Sequence, residues 1–181
     1  MSSLTINGDS SGSVQIIAPA VSGSTALTLP VSTTVATLAI DGPAFSAYNN
    51  ATQALTSATL TKVLFQVKEF DTANCFDNTT NYRFTPTVAG YYFINAALQF
   101  SQSNINNFVS IYKNGSEFKR GNEGGNFANY APYNVTVSAL IYLNGSTDYV
   151  EIYGYQGSAS GQTISATSIG TYFQAFLARG A

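Results

Sequence analysis

No histidine occurs among the 181 residues, so the side chain that most often moves protons, completes nucleophilic triads and binds transition metals is missing. Acid–base or metal chemistry would fall to nine carboxylates: Asp9, Asp41, Glu69, Asp71, Asp77, Glu117, Glu123, Asp148 and Glu151. A glycosidase needs two such groups facing each other across a cleft. In an extended chain the period of two puts Glu69 and Asp71 on one face, with Asp77 close behind, although a solvated strand end explains the same pattern. Asp9 with Asn7 and Ser11 looks faintly like a metal loop, yet a turn accounts for all three. Residues 121–126 are glycine-rich but lack the Lys-Ser/Thr ending and the following helix of a phosphate loop, so a hairpin tip is expected. The single cysteine, Cys75, excludes an intrachain disulfide and is expected to be a small packing residue. Five Asn-x-Ser/Thr triplets, beginning at Asn50, Asn78, Asn114, Asn134 and Asn144, reflect richness in those residue types and are not read as glycosylation sites. Tyr130, Tyr133 and Tyr155, near polar loops, could stack on sugars. No catalytic residue, metal or cofactor is assigned, and an enzyme is not expected.

The elements that would carry any site are unusually poor in charge. Charged residues make up 9% of the chain against 45% apolar and 13% aromatic, where a soluble domain has about 25% charged. A surface built from Asn, Ser, Thr, Gly and Tyr suits packing against other protein. The net charge of −2, with seven scattered basic residues, leaves no basic patch for nucleic acid. No apolar run reaches the length of a membrane span, so no membrane partner is expected. The first residues, Met1-Ser2-Ser3-Leu4-Thr5-Ile6, have neither the positive start nor the apolar stretch of a signal peptide, which predicts synthesis in a cytoplasm without export by that route.

Two regions differ in composition. Residues 1–42 contain no aromatic residue and no Lys or Arg. Short alternating strands centred on Leu4 and Ile6, on Val14 and Ile16, and on Leu27 and Leu29 are separated by turn clusters at 7–12 and 22–24. They could pair as a hairpin, but they hold too few large apolar groups to offset the entropy of ordering about 40 residues alone. An extended, β-rich arm laid along a partner is expected. Asp41-Gly42-Pro43 marks the boundary, and residues 43–181 read as strand after strand: 62–67, 91–100, 108–112, 135–143, 149–155 and 172–177 all alternate. Turn signals at Ala89-Gly90, Asn114-Gly115 and Asn144-Gly145 fall between them. The stretch 49–60 is read as loop or edge strand. About eight strands in this length predict a two-sheet sandwich. In 91–100 one face carries Tyr92, Ile94, Ala96, Leu98 and Phe100, while the other still shows Tyr91, Phe93 and Ala97. The last strand repeats this, with Phe173, Ala175 and Leu177 opposite Tyr172, Phe176 and Ala178. Aromatics on both faces imply a second buried surface, between subunits.

The ordered set Pro43-Ala44-Phe45-Ser46-Ala47-Tyr48, Phe84-Thr85-Pro86, Ala89-Gly90-Tyr91-Tyr92-Phe93, Tyr112-Lys113-Asn114-Gly115, residues 138–145 and Thr171-Tyr172-Phe173-Gln174-Ala175-Phe176-Leu177 resembles the C1q/TNF-like jelly roll over residues 43–178. That resemblance implies an all-β jelly-roll sandwich of about eight to ten strands, assembled as a homotrimer. Tyr91, Phe93, Tyr172 and Phe176 are the candidates for the seam between subunits. It also raises calcium held by loop oxygens, for which Asp71, Asn74 and Asp77 are the available residues. The arm resembles segments that precede varied heads in phage structural proteins. Together these imply a capsid decoration, or cement, protein of a virion assembled in the bacterial cytoplasm. Leu4, Ile6, Val14, Ile16, Leu27 and Leu29 of the arm would clamp the major capsid protein. The alternative is a short tail fibre or receptor-binding tip, docked to a tail protein and gripping a host surface glycan.

Overall fold

The structure is a computed structural model, and it describes residues 3–7, 13–17, 42–101, 106–123, 133–158 and 161–181. The chain divides into two units, Met1–Val35 and Ala36–Ala181. The compositional boundary at 42/43 lies a few residues further on, and residues 36–41 between the two divisions are outside the described residues.

In the first unit β1 (Ser3–Asn7) pairs antiparallel with β2 (Ser13–Ile17), setting Leu4 opposite Ile16 and Ile6 opposite Val14. The hairpin expected from the alternation is present. Leu27 and Leu29 lie outside the described residues.

The second unit is all-β among the described residues and holds two sheets. The larger has seven strands: β3 (Ala44–Tyr48), β4 (Gln53–Leu55), β6 (Val67–Asp71), β9 (Ala89–Phe100), β12 (Tyr133–Asn144), β14 (Gln162–Ile164) and β15 (Tyr172–Gly180). Its centre runs β12–β9–β15–β3–β6, every pair antiparallel. The smaller has six: β5 (Thr61–Lys62), β7 (Phe76–Asp77), β8 (Arg83–Phe84), β10 (Phe108–Lys113), β11 (Ser116–Arg120) and β13 (Val150–Tyr155). Its path is β11–β10–β13–β8–β7, with β5 also on β13. Neighbours in space are distant in sequence, and the chain changes sheet between β9 and β10, between β11 and β12, and on either side of β13. This is a jelly roll. Eight strands have five residues or more, and the other five are pairing segments of two or three residues.

The core lies between the sheets. Tyr92, Ile94, Ala96, Leu98 and Phe100 of β9 and Phe173, Ala175 and Leu177 of β15 are buried, as their alternation predicts. Across from them sit Val109, Ile111, Val150 and Ile152. At one end Phe45 stacks on Phe76 with ring centroids 4.5 Å apart and meets Phe173 edge-on at 4.8 Å. Tyr92 is buried against Phe84, ring centroids 5.4 Å apart, and its hydroxyl donates to the Val88 carbonyl at 2.7 Å; burial pushes its pKa up to about 12. Cys75 is buried as a free thiol beside this cluster.

The stretch 62–67 departs from the strand it resembles. Only Thr61–Lys62 and Val67–Asp71 pair as strands, and they belong to different sheets. The alternation is real, since Val63 and Phe65 are fully buried. It records a chain crossing the core from one sheet to the other. Gly90 also has a different cause from the one its turn position suggests. A Cβ there would lie 2.5 Å from the Arg179 carbonyl, so glycine is needed for the close approach of β9 and β15. Asn114 and Gly115, at φ +52° and +80°, make the tight turn between β10 and β11 that their identity predicts.

Candidate assembly face

Each strand of the larger sheet turns one face to the core and the other outward, and register decides what meets on the outward side. Tyr91 stands opposite Tyr142 and Arg179. One step along, Leu140, Phe93, Phe176 and Ala44 form a row across β12, β9, β15 and β3. The next row is polar, Ser138–Asn95–Gln174–Ser46, ending at Phe70 of β6. The last is Thr136–Ala97–Tyr172–Tyr48. The first two rows leave large apolar groups open: Tyr91 43%, Phe93 38%, Leu140 58%, Tyr142 43% and Phe176 50% exposed. Their rings pair with each other, Phe93 with Phe176 at 5.7 Å and Tyr91 with Tyr142 at 5.5 Å, and the Lys113 ammonium reaches the Tyr142 ring at 5.9 Å.

Three of the four seam candidates, Tyr91, Phe93 and Phe176, therefore form one exposed patch. Tyr172 shares their face but lies beyond the polar row, half-buried next to Tyr48. Leu140 and Tyr142 complete the patch and were not singled out from sequence. The signal for them was present, because 138–143 is apolar on both faces just as 91–100 is.

Charge separates this face from the rest of the sandwich. Strands β3, β9, β12 and β15 contain a single charged residue, Arg179. The smaller sheet carries Lys62, Asp77, Arg83, Lys113, Glu117, Lys119, Arg120 and Glu151. There the charges cover aromatic rings. Tyr112 stacks on Tyr153 at 4.0 Å, and the Tyr153 hydroxyl donates to Glu151, which Lys62 pairs at 2.6 Å. Desolvation, reinforced by Glu151, pushes the Tyr153 pKa up to about 12. Glu117 takes Arg120 through both oxygens, 2.9 and 3.0 Å, and the Ser110 hydroxyl at 2.7 Å, so these partners hold its pKa below the usual carboxylate range.

The carboxylates suggested as reactive are occupied with turns. A register shift in β3–β6 breaks the period of two: Glu69 accepts the Ser46 hydroxyl at 2.5 Å, while Asp71 accepts the Cys75 and Phe76 amides at 2.9 and 3.0 Å. Glu69 and Asp71 thus do not act on a shared point. The Lys68 ammonium sits where a cation shared by Asp71 and Asn74 would lie, 3.0 and 3.2 Å from their oxygens. Asp77 accepts the amides of Thr79, Thr80 and Asn81, which drive its pKa far below the ordinary value. These groups do not fit calcium as the resemblance suggested. Among the described residues no cluster of three or more His, Cys, Asp or Glu could hold a metal ion. No helix there is long and apolar enough to cross a membrane. Asp148 is held down chiefly by the Asn114 amide at 2.7 Å and anchors the turn beside Asn144.

Each of the described tyrosines suggested for sugar stacking packs against a neighbouring aromatic ring. Tyr133 stacks on Phe100 at 5.8 Å and Tyr155 on Phe108 at 4.5 Å, both half-buried, and Tyr130 lies outside the described residues.

With that geometry in place, the architecture is a jelly roll of the C1q/TNF-like type. No protein-family model matches the chain, and no curated protein matches it by sequence. Solved structures do. The globular domain of zebrafish complement 1qA is 19% identical, covers 77% of this chain and 99% of its own, and superposes with a TM-score of 0.55. Murine APRIL is 10% identical over 75% of this chain and 98% of its own, with a TM-score of 0.59. The vertex protein P5 of phage PRD1 is 13% identical over 76% of this chain and 74% of its own, with a TM-score of 0.56.

Proposed function

We propose that the chain is a structural protein of a phage virion: a homotrimer whose jelly-roll heads decorate the capsid while residues 1–42 attach to the major capsid protein. The observation that carries the trimer is the exposed apolar patch on β9, β12 and β15, strands whose one charged residue is Arg179. Each of its five large side chains would gain about 1 kcal/mol on completing its burial, roughly half of what full burial brings. Summed over one subunit that gain is about 5 kcal/mol, of the order of the cost of bringing copies together. Likeness of fold to a virion vertex protein, together with the charge-poor composition, supports the particle as the setting. Arms from three subunits would add their weak contacts as avidity, so an arm without a large core can still hold firmly.

Light scattering of the purified full chain tests the oligomer. A mass three times that of the 19.1 kDa chain is expected, and a monomer at micromolar concentration overturns the reading. Removal of residues 1–42 should leave the trimer intact and abolish attachment to particles. The number of copies per virion decides where it sits: hundreds mean the shell, and about a dozen mean the tail and a glycan-gripping tip instead.

A further inference from the structure

At the end of the smaller sheet, where β10 begins and β11 and β13 finish, Phe108, Arg120 and Tyr155 converge beside a cleft of about 410 Å³. That size lies within the ~300–1,000 Å³ usual for small-molecule sites. The Arg120 guanidinium lies 4.2 Å from the centroid of Phe108, and Tyr155 stacks on the same ring at 4.5 Å and 10°. Two groups this close cannot share one face of a ring, so Phe108 is sandwiched, and it is only 5% exposed. Tyr155 is therefore fixed in orientation, with the remainder of its surface lining the cleft.

Arg120 is fixed as well, because Nε and Nη2 are both taken by Glu117. Its third nitrogen, Nη1, stands 3.9 Å from Oε1 of Glu123, too far for a direct hydrogen bond. A hydroxyl placed between them could accept from Nη1 and donate to Oε1 at once. Both side chains are open to solvent, Arg120 at 45% and Glu123 at 55%. Asn106, held at φ +66°, brings an exposed amide to the same rim.

We propose that this cleft binds a neutral sugar, whose apolar C–H face packs on Tyr155 while a hydroxyl bridges Arg120 and Glu123. Neutral is required by charge: two carboxylates, Glu117 and Glu123, face one guanidinium, so an acidic sugar would meet net repulsion. The inference is independent of the assembly reading, since none of these residues belongs to the larger sheet.

Saturation-transfer NMR on the full chain, with the methyl glycosides of glucose, galactose, mannose and N-acetylglucosamine at about 10 mM, tests it, because that range fills a millimolar site. At least one should receive transfer, and methyl glucuronide should not. Glu123→Ala, at an exposed position, should weaken binding about tenfold by removing one charge-assisted hydrogen bond. Tyr155→Ala should abolish it, and Phe93→Asp should leave it unchanged. No transfer to any of the neutral glycosides, glucuronide binding as well as they do, or full binding by Glu123→Ala would each overturn the proposal.

Discussion

The outward faces of the two sheets are both rich in aromatic rings, yet they are finished differently. On the smaller sheet four rings are stacked in pairs beside ion pairs, Tyr112 on Tyr153 next to Lys62–Glu151 and Phe108 on Tyr155 beneath Arg120–Glu117, and the exposed Phe118 lies under the Lys119 ammonium. On the larger sheet Tyr91, Phe93, Leu140, Tyr142 and Phe176 have charged neighbours only at the edge, where Arg179 stands opposite Tyr91 and Lys113 lies 5.9 Å from the Tyr142 ring centroid. The difference teaches that exposure of aromatics is not in itself a sign of an interface. What marks the β9–β12–β15 face of the larger sheet is that nearly all of the charges available were placed elsewhere.

The contrast can be broken most directly by adding charge to the uncovered face. Phe93→Asp should convert the trimer to monomers in light scattering while leaving far-ultraviolet circular dichroism unchanged, because Phe93 makes no contact with the buried core face of its strand. Tyr112→Asp on the other sheet should leave the mass unchanged.

The next largest effect is expected where charge is structural. Lys62→Ala strands the Glu151 carboxylate, which is only 4% exposed, and should cost about 2 kcal/mol in denaturant unfolding, discounted because Lys62 itself is about a third open. Replacing the pair together, Lys62→Met with Glu151→Leu, should recover most of that loss.

Gly90→Ala probes the backbone beneath the uncovered face. Its methyl group would meet the Arg179 carbonyl, so the β9–β15 ladder must part, with an expected loss of about 1–2 kcal/mol and weaker assembly in the same sample.

The smallest effect concerns acid. The pKa of Asp77 is depressed in the folded chain, so its contribution is complete above the ordinary value of 3.8 and is lost as pH falls toward the folded value. Asp77→Asn should lower stability at pH 7 by about 1 kcal/mol, as loss of an amide-capping carboxylate does, and should flatten the acid limb of the stability curve.

Much of the fold was legible in the sequence because local signals agreed with the tertiary result. The alternation of Tyr92 to Phe100 marked the core face, Asn114-Gly115 marked a hairpin, and aromatics on both faces of β9 and β15 marked an outward apolar surface. What escaped was set by pairing between distant segments. Residues 62–67 alternate because they thread the core, which no local pattern separates from a strand. The bulge that parts Glu69 from Asp71 depends on β3, more than twenty residues earlier in the chain. Leu140 joins Phe93 only through the β9–β12 register, and Arg120 meets Phe108 only once β11 folds back on β10.

Cys75 gives the molecule a built-in clock. It is the one thiol in the chain, 6% exposed, with its sulfur 3.4 Å from the Ala73 carbonyl and its neighbours Phe45 and Phe76 closing the core beside it. A thiol-reactive dye can reach it only when that end of the sandwich opens, so the labelling rate reads the opening equilibrium without any engineered probe. Followed against protein concentration, the same rate would report whether association of copies keeps that end of the sandwich shut.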